Sequence, residues 1–331
     1  NPVDPIRVKE MLDAGADILR VKFAHVSDGE ILDSVKQVKN LIAEKKSSAK
    51  ILLDLPEDKI RLGRLEKGIE DISEGQVCVI KSGNFSADAK NYVPLVLNDD
   101  FSQYFSPGDK IFLGDGELSC VVEKIISPQE MRVRFLYSGV LIQYRSLMSP
   151  RLMDSLDHKK AAMAKLNLLK DILPEYIALS FVDSAEYVNE IRRLIKEVYG
   201  GNYEPLIFAK IESQPGLDNA EEIIDAADMV VFGRGDLALT TDYKKIILEQ
   251  KRICCLCKKK GKKAIVATQI LESCLNGLMP SRADLADLTN IVLDGAAGIW
   301  LSKETSANRH PGEVIRVAKE IIASVSEQMI I

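Results

Sequence analysis

The stretch Phe208–Asp236, FAKIESQPGLDNAEEIIDAADMVVFGRGD, decides the fold and carries its chemistry. It reads as strand, loop, helix, strand and glycine turn. Lys210 and Glu212 leave the end of the first strand. Side chains at i and i+2 of a strand share a face, so these two look into one pocket. Asp236 follows the second strand, after Gly233-Arg234-Gly235. Parallel pairing of the two strands would bring it to the same end of the sheet. Two carboxylates with room for water suit a hard divalent cation such as Mg²⁺. A lysine beside them suits a phosphate or a developing oxyanion. A buried Lys210–Glu212 salt bridge is the other reading of the same spacing.

Working outward, the helix–strand rhythm recurs on both sides. Upstream come a helix at 4–16, the alternating segment ILRVKFAH (18–25), a helix near 28–45, and KILLDL (50–55), broken by Pro56. Later strands are expected at 176–182, 206–211, 229–233, 264–268 and 298–302, and a final helix at 312–328. Strands alternating with helices predict a parallel sheet of the α/β class, here a (β/α)8 TIM barrel. Seven barrel strands are visible, and the first helix has no strand before it. Either the eighth lies upstream of Asn1 or the barrel is incomplete. Between Leu62 and about Pro150 the rhythm changes to short strand-like pieces separated by Gly, Pro, Asn and Asp. That pattern predicts a small all-β domain inserted into the barrel. The expected boundaries are 1–61 and 152–331 for the barrel and 62–151 for the insert.

The totals narrow the function. The chain has 331 residues, 46% hydrophobic and 28% charged, which is ordinary for a globular protein large enough for two domains. A net charge of −5 gives no footprint for nucleic acid or a membrane surface, and no apolar run is long enough to span a bilayer. Of the six cysteines, Cys254 and Cys257 are three apart, but no second pair or histidine pair completes a zinc site. Free thiols in a reducing, cytoplasmic setting are expected.

In barrels the loops after the strands build one shared mouth, so strand-end residues carry the chemistry. The candidates are Arg20, Lys22 and His25, then Asp54, Ser180, Lys210 and Glu212, then Gly235 and Asp236, Thr268, and Ser302–Thr305. A lone Arg or Thr at a strand end is weak evidence. The set, taken from consecutive units, is much stronger.

These residues resemble the pyruvate kinase family over almost the whole chain. FAKIESQPGL is similar to its lysine-isoleucine-glutamate strand and FGRGDLAL to its arginine-glycine-aspartate-leucine turn. AIVATQILESCLNGLMPSRADLADLTNIVLDGAAGIWLSKET follows the order and spacing of its last two barrel units, and the β-insert falls where the family has its lid. The resemblance implies phosphoryl transfer between phosphoenolpyruvate and ADP, giving pyruvate and ATP in glycolysis. It implies that Lys210 neutralises the moving phosphoryl group and that Glu212 and Asp236 hold Mg²⁺ or Mn²⁺. Backbone N–H groups around Gly233, Gly235 and Asp236 would bind the substrate carboxylate. Thr268 would position the proton relay to the enolate carbon, Arg20 would contact phosphate, and Ser180 would line the metal pocket. Thr268 and Ser180 as strand caps, and Arg20 as a structural ion pair, are the plainer readings.

The departures lie on one side of the site. The family's arginine-x-asparagine-x-serine-histidine strand is here Arg20-Val21-Lys22-Phe23-Ala24-His25. Its aspartate-threonine-lysine-glycine-proline-glutamate run is Asp54-Leu55-Pro56-Glu57-Asp58-Lys59, with Arg61 beyond. Of the four monovalent-cation ligands that the family implies, only Asp54 is kept. Lys22 and Lys59 now stand in this nucleotide and cation region, and a fixed ammonium replaces a bound cation near a phosphate. Activity independent of potassium is therefore expected. The lid lysine is not evident near Arg145, and Lys303 takes the place of a glycine. The sequence ends after the last barrel helix, so the family's C-terminal domain and its effector site are not in it. A homo-oligomer is possible on this resemblance. The competing readings are a phosphoenolpyruvate or pyruvate-enolate enzyme with another acceptor, and a non-catalytic binding protein on the same fold.

Overall fold

The computed structural model describes residues 3–23, 28–201, 203–277 and 279–328. His25 lies outside them. The chain divides into two compact units, one of residues 1–57, 158–235 and 244–331, the other of 58–157 and 236–243.

The seven strands expected from the sequence form one parallel sheet in the first unit. Its order is Ile18–Lys22, Lys50–Asp54, Tyr176–Leu179, Leu206–Ile211, Met229–Gly233, Lys263–Ala267 and Gly298–Trp300. Each strand is hydrogen-bonded to the next along the chain of the sheet, all in parallel. Both faces of such strands are covered, which explains a run such as Ile207–Ile211 that is buried throughout. The connecting helices carry one apolar stripe. In Ala185–Tyr199 the stripe is Tyr187, Val188, Ile191 and Ile195, capped by Ser184 at one end and ended by Gly200 at φ +66°.

Inside the sheet, the side chains form two layers with opposite chemistry. The lower layer is apolar: Leu52, Ala178, Phe208, Val231, Ile265 and Ala267, flanked by Ile18, Tyr176, Met229 and Trp300. Two residues further along the strands the same face presents Arg20, Asp54, Ser180 and Lys210. The period of two therefore changes an apolar floor into a polar mouth within one step. The strands end sooner than the sequence pattern indicates. Ser180, Thr268 and Ser302 lie in the loops after their strands.

The second unit is all-β in its sheets. Its main sheet runs Leu147–Met148, Lys110–Leu113, Leu118–Ser127, Glu130–Phe135, Val77–Ser82, Tyr92–Leu95. Its core is apolar, with Phe101, Phe105 and Phe135 at its centre and two thiols, Cys78 and Cys120, among them. No helix among the described residues is long and apolar enough to cross a membrane.

Candidate active site

Asp54 is the hub of the barrel mouth. Its side chain is fully buried, and an isolated buried carboxylate is costly. Arg20 donates through Nε at 2.9 Å and pairs through Nη2 at 2.8 Å with Oδ2. Lys210 Nζ stands 3.2 Å from Oδ1 as an ion pair, and Oδ1 accepts no aligned hydrogen bond. Burial alone pushes the Asp54 carboxyl up, but Lys210, Arg20 and Lys22 together hold it below the usual carboxylate value. The reverse holds for Lys210. Burial opposes its charge, yet Asp54 first, then Glu212 and Glu57, raise its pKa above the ordinary lysine value. Lys210 is thus a buried cation that keeps its proton.

Glu212 lies 3.6 Å from Lys210 through Oε1 and accepts the Phe181 N–H at 3.1 Å through Oε2. Phe181 adopts φ +50°, which turns that N–H toward the carboxylate. Space for Glu212 comes from Gly233, where a Cβ would sit 2.6 Å from Glu212 Cγ. Ser180 donates to Glu57 Oε2 at 3.4 Å, and Lys22 donates to Glu57 Oε1 at 3.2 Å. The sequence reading passed over Glu57. It lies on a loop rather than a strand, so no periodicity pointed at it. The mouth therefore joins three cations, Arg20, Lys22 and Lys210, to three carboxylates, Asp54, Glu57 and Glu212.

Arg20 also lies with its guanidinium carbon 5.0 Å from the centre of the Trp300 ring, and its Nη1 reaches Ser302 Oγ at 3.5 Å. The first and last strands of the sheet are linked by this one side chain.

Thr268 is the first residue past its strand, at φ +77°, a rare conformation for a β-branched residue. Gln269 and Leu271 follow at +54° and +60°. Arg234 holds this loop. Its Nε and Nη2 donate to the Thr268 carbonyl at 3.1 and 2.7 Å, and Nη2 also to that of Gln269 at 3.1 Å. Asp287 grips the guanidinium in turn, at 2.6 and 2.8 Å. Gly235 is required beside it, since a Cβ there would come 2.8 Å from Thr268 Cγ2. The sequence showed Arg234 only as part of a glycine turn. Its partners, 34 to 53 residues away, were invisible.

In the second unit, Lys59 Nζ lies 3.3 and 3.2 Å from the two oxygens of Asp236. Asp236 is in the first turn of the helix Arg234–Thr240. Arg61 donates to the Tyr144 carbonyl at 3.3 Å, and Arg145 stands 3.9 Å from Glu117. Lys303 is exposed. Among the described residues no group of three or more His, Cys, Asp or Glu gathers as a metal cage. Mg²⁺ does not need one, because it keeps water and takes one or two carboxylates together with substrate phosphates. Glu212 in the first unit and Asp236 in the second each offer a carboxylate, the donor type such an ion takes.

The first unit is thus a parallel α/β barrel with a charged, strand-end mouth, and the β-unit enters the sequence after its second strand. The family described as pyruvate kinase, barrel domain, matches residues 2–315. A pyruvate kinase of Thermotoga maritima is 31% identical over 331 residues, covering 97% of this chain and 68% of that protein. One of Thermoplasma acidophilum is 30% identical over 332 residues, covering 98% and 56%. One of Mycobacterium tuberculosis H37Rv is 28% identical over 323 residues, covering 97% and 67%. The chain belongs to the pyruvate kinase family, and it spans between about half and two thirds of the length of these relatives.

Proposed function

We propose that this chain transfers a phosphoryl group between phosphoenolpyruvate and a nucleoside diphosphate such as ADP, giving pyruvate, with a divalent cation and without potassium. The observation that carries this reading is Lys210, a buried ammonium whose charge is held by Asp54 and Glu212 at the mouth of the barrel. Phosphoryl transfer is catalysed mainly by positioning and charge, and a fixed cation beside the moving group supplies both. Arg20 and Lys210, tethered to the same carboxylate, arrive as an aligned pair for an anionic phosphate. Glu212 and Asp236 would hold Mg²⁺ or Mn²⁺. Bound there, the ion would add positive charge at the phosphate and the enolate oxygen. The N–H groups around Gly233, Gly235 and Asp236 would take the substrate carboxylate, with Ser180 in the metal pocket. Thr268, held by the Arg234 clamp on its carbonyl, would orient the proton for the enolate carbon.

Independence from potassium is supported by the pairing of Asp54. The carboxylate retained from the family's cation site already faces Arg20 and Lys210, and Lys22 adds to the same field. Pyruvate formation from phosphoenolpyruvate and ADP with Mg²⁺ tests the reading. Equal rates in sodium and potassium buffers are expected. Strong activation by potassium would refute the independence, and no pyruvate in either buffer would refute the transfer. A second reading, with an acceptor other than ADP, is favoured by the nucleotide side. Arg61 and Arg145 are there engaged by Tyr144 and Glu117. Phosphoenolpyruvate consumed with another acceptor and not with any nucleoside diphosphate would favour the second reading, and pyruvate formed with a nucleoside diphosphate the first.

A further inference from the structure

The Lys59–Asp236 contact has a use that goes beyond replacing potassium. Lys59 Nζ is placed almost symmetrically on the carboxylate, 3.3 Å from Oδ1 and 3.2 Å from Oδ2. That is the position from which a cation takes both oxygens at once. The two side chains are only 14% and 23% exposed, so the pair is not the loose surface kind.

Both partners are fixed by their own unit. Lys59 immediately precedes Ile60, which is buried in the β-core and whose carbonyl accepts the Leu147 N–H at 2.9 Å. The following residues continue the attachment: Arg61 bridges to Ser146, and the Leu62 N–H donates to the Arg145 carbonyl at 2.9 Å. Asp236 sits in the first turn of the helix Arg234–Thr240, the next residue, Leu237, is fully buried, and the Asp236 carbonyl accepts the Thr240 hydroxyl at 3.0 Å. The backbones on both sides of the contact are thus held in place, and the pair needs only its two side chains to be ordered.

We propose that Lys59 is an internal competitor for the divalent cation at Asp236, a tethered ammonium that must leave the carboxylate oxygens before a metal ion takes them. This rests on the reading of Asp236 as a metal carboxylate. Lys59 thereby sets the metal affinity of the free protein: it keeps the carboxylate neutralised when no ion is bound, and it weakens metal binding by the work of displacing the ammonium. Groups hydrogen-bonded to a metal-ligating side chain typically change metal affinity by about 10–100-fold when they are altered.

The test is Mn²⁺ binding to the substrate-free protein, followed by electron paramagnetic resonance of the free ion, with no turnover involved. Lys59→Met and Lys59→Gln should each bind Mn²⁺ about tenfold more tightly than the unaltered chain. Lys59→Arg, which keeps the charge, should stay near the unaltered affinity. Asp236→Asn should bind it at least tenfold more weakly. If Asp236→Asn weakens binding while both neutral Lys59 variants leave it unchanged or weaken it, the competition is overturned and the metal assignment stands. If Asp236→Asn and Glu212→Gln leave Mn²⁺ binding unchanged, the metal assignment itself falls, and the competition with it. Using two neutral replacements guards against one of them misfolding, which circular dichroism would reveal.

Discussion

The barrel mouth and the core of the β-unit bury side chains under opposite rules. In the β-unit, Phe101, Phe105, Phe135, Val93 and Leu95 fill the interior together with the weakly polar sulfurs of Cys78, Cys120 and Met131. In the mouth, two steps above an apolar floor, Asp54 and Lys210 are as buried as core residues and remain charged. Apolar burial stabilises a fold directly, whereas a buried ion pair barely offsets the desolvation of its members. A fold gains little from the mouth, so its charges point to function. The β-unit needs no such explanation.

The largest expected contrast is kinetic. Lys210→Met should lower turnover by about 10³-fold, the scale for removing one preorganised electrostatic group. Arg20 still pairs with Asp54 in that variant, so it should fold, and steady-state kinetics beside thermal melting reads both effects. Phe135→Ala should do the reverse: a loss of about 3–5 kcal/mol in stability by denaturant unfolding, from a cavity in a well-packed core. Retained stability in Phe135→Ala would dissolve the contrast from its other side.

A subtler break concerns the loop that carries Thr268. Arg234→Lys keeps the charge and loses the planar fork that reaches Asp287 and two carbonyls together. Stability should fall by about 1–3 kcal/mol, the cost of polar groups left unsatisfied. Turnover should fall while the KM for phosphoenolpyruvate changes little, because Thr268 moves and the phosphate contacts do not. An unchanged kcat would free Thr268 from the clamp.

The smallest effect is chemical. Burial pushes the Cys78 and Cys254 thiols up to about 12 and Cys257 to about 11, and only Cys255 of the six cysteines is exposed. A thiol reagent at pH 8 should therefore label one cysteine per folded chain and the rest on unfolding. Rapid labelling of Cys78 in the native state would show that the β-core opens far more readily than its packing implies.

Legibility in the sequence followed the same division. Strand alternation exposed Lys210 and Glu212 as a same-face pair and found all seven barrel strands, because a period of two is a local property. The hub role of Asp54 was not visible, since its two cations come from strands 34 residues before it and 156 after it. Glu57 and the left-handed turn at Thr268 were missed for another reason. Both lie just past strand ends, where loop geometry replaces periodicity and a side chain's direction depends on neighbours distant in sequence. The pairing of Lys59 with Asp236, 177 residues apart, was equally out of reach.

The most direct measurement is phosphorus NMR of the unaltered chain and of Lys210→Met, each with phosphoenolpyruvate, ADP and Mg²⁺ in potassium-free buffer. Growth of the ATP resonances at the expense of phosphoenolpyruvate in the first sample, and none in the second, is the predicted result. A phosphoenolpyruvate signal that stays constant in the unaltered chain, or an equal conversion in both samples, would contradict the assignment of the charged mouth as a phosphoryl-transfer site.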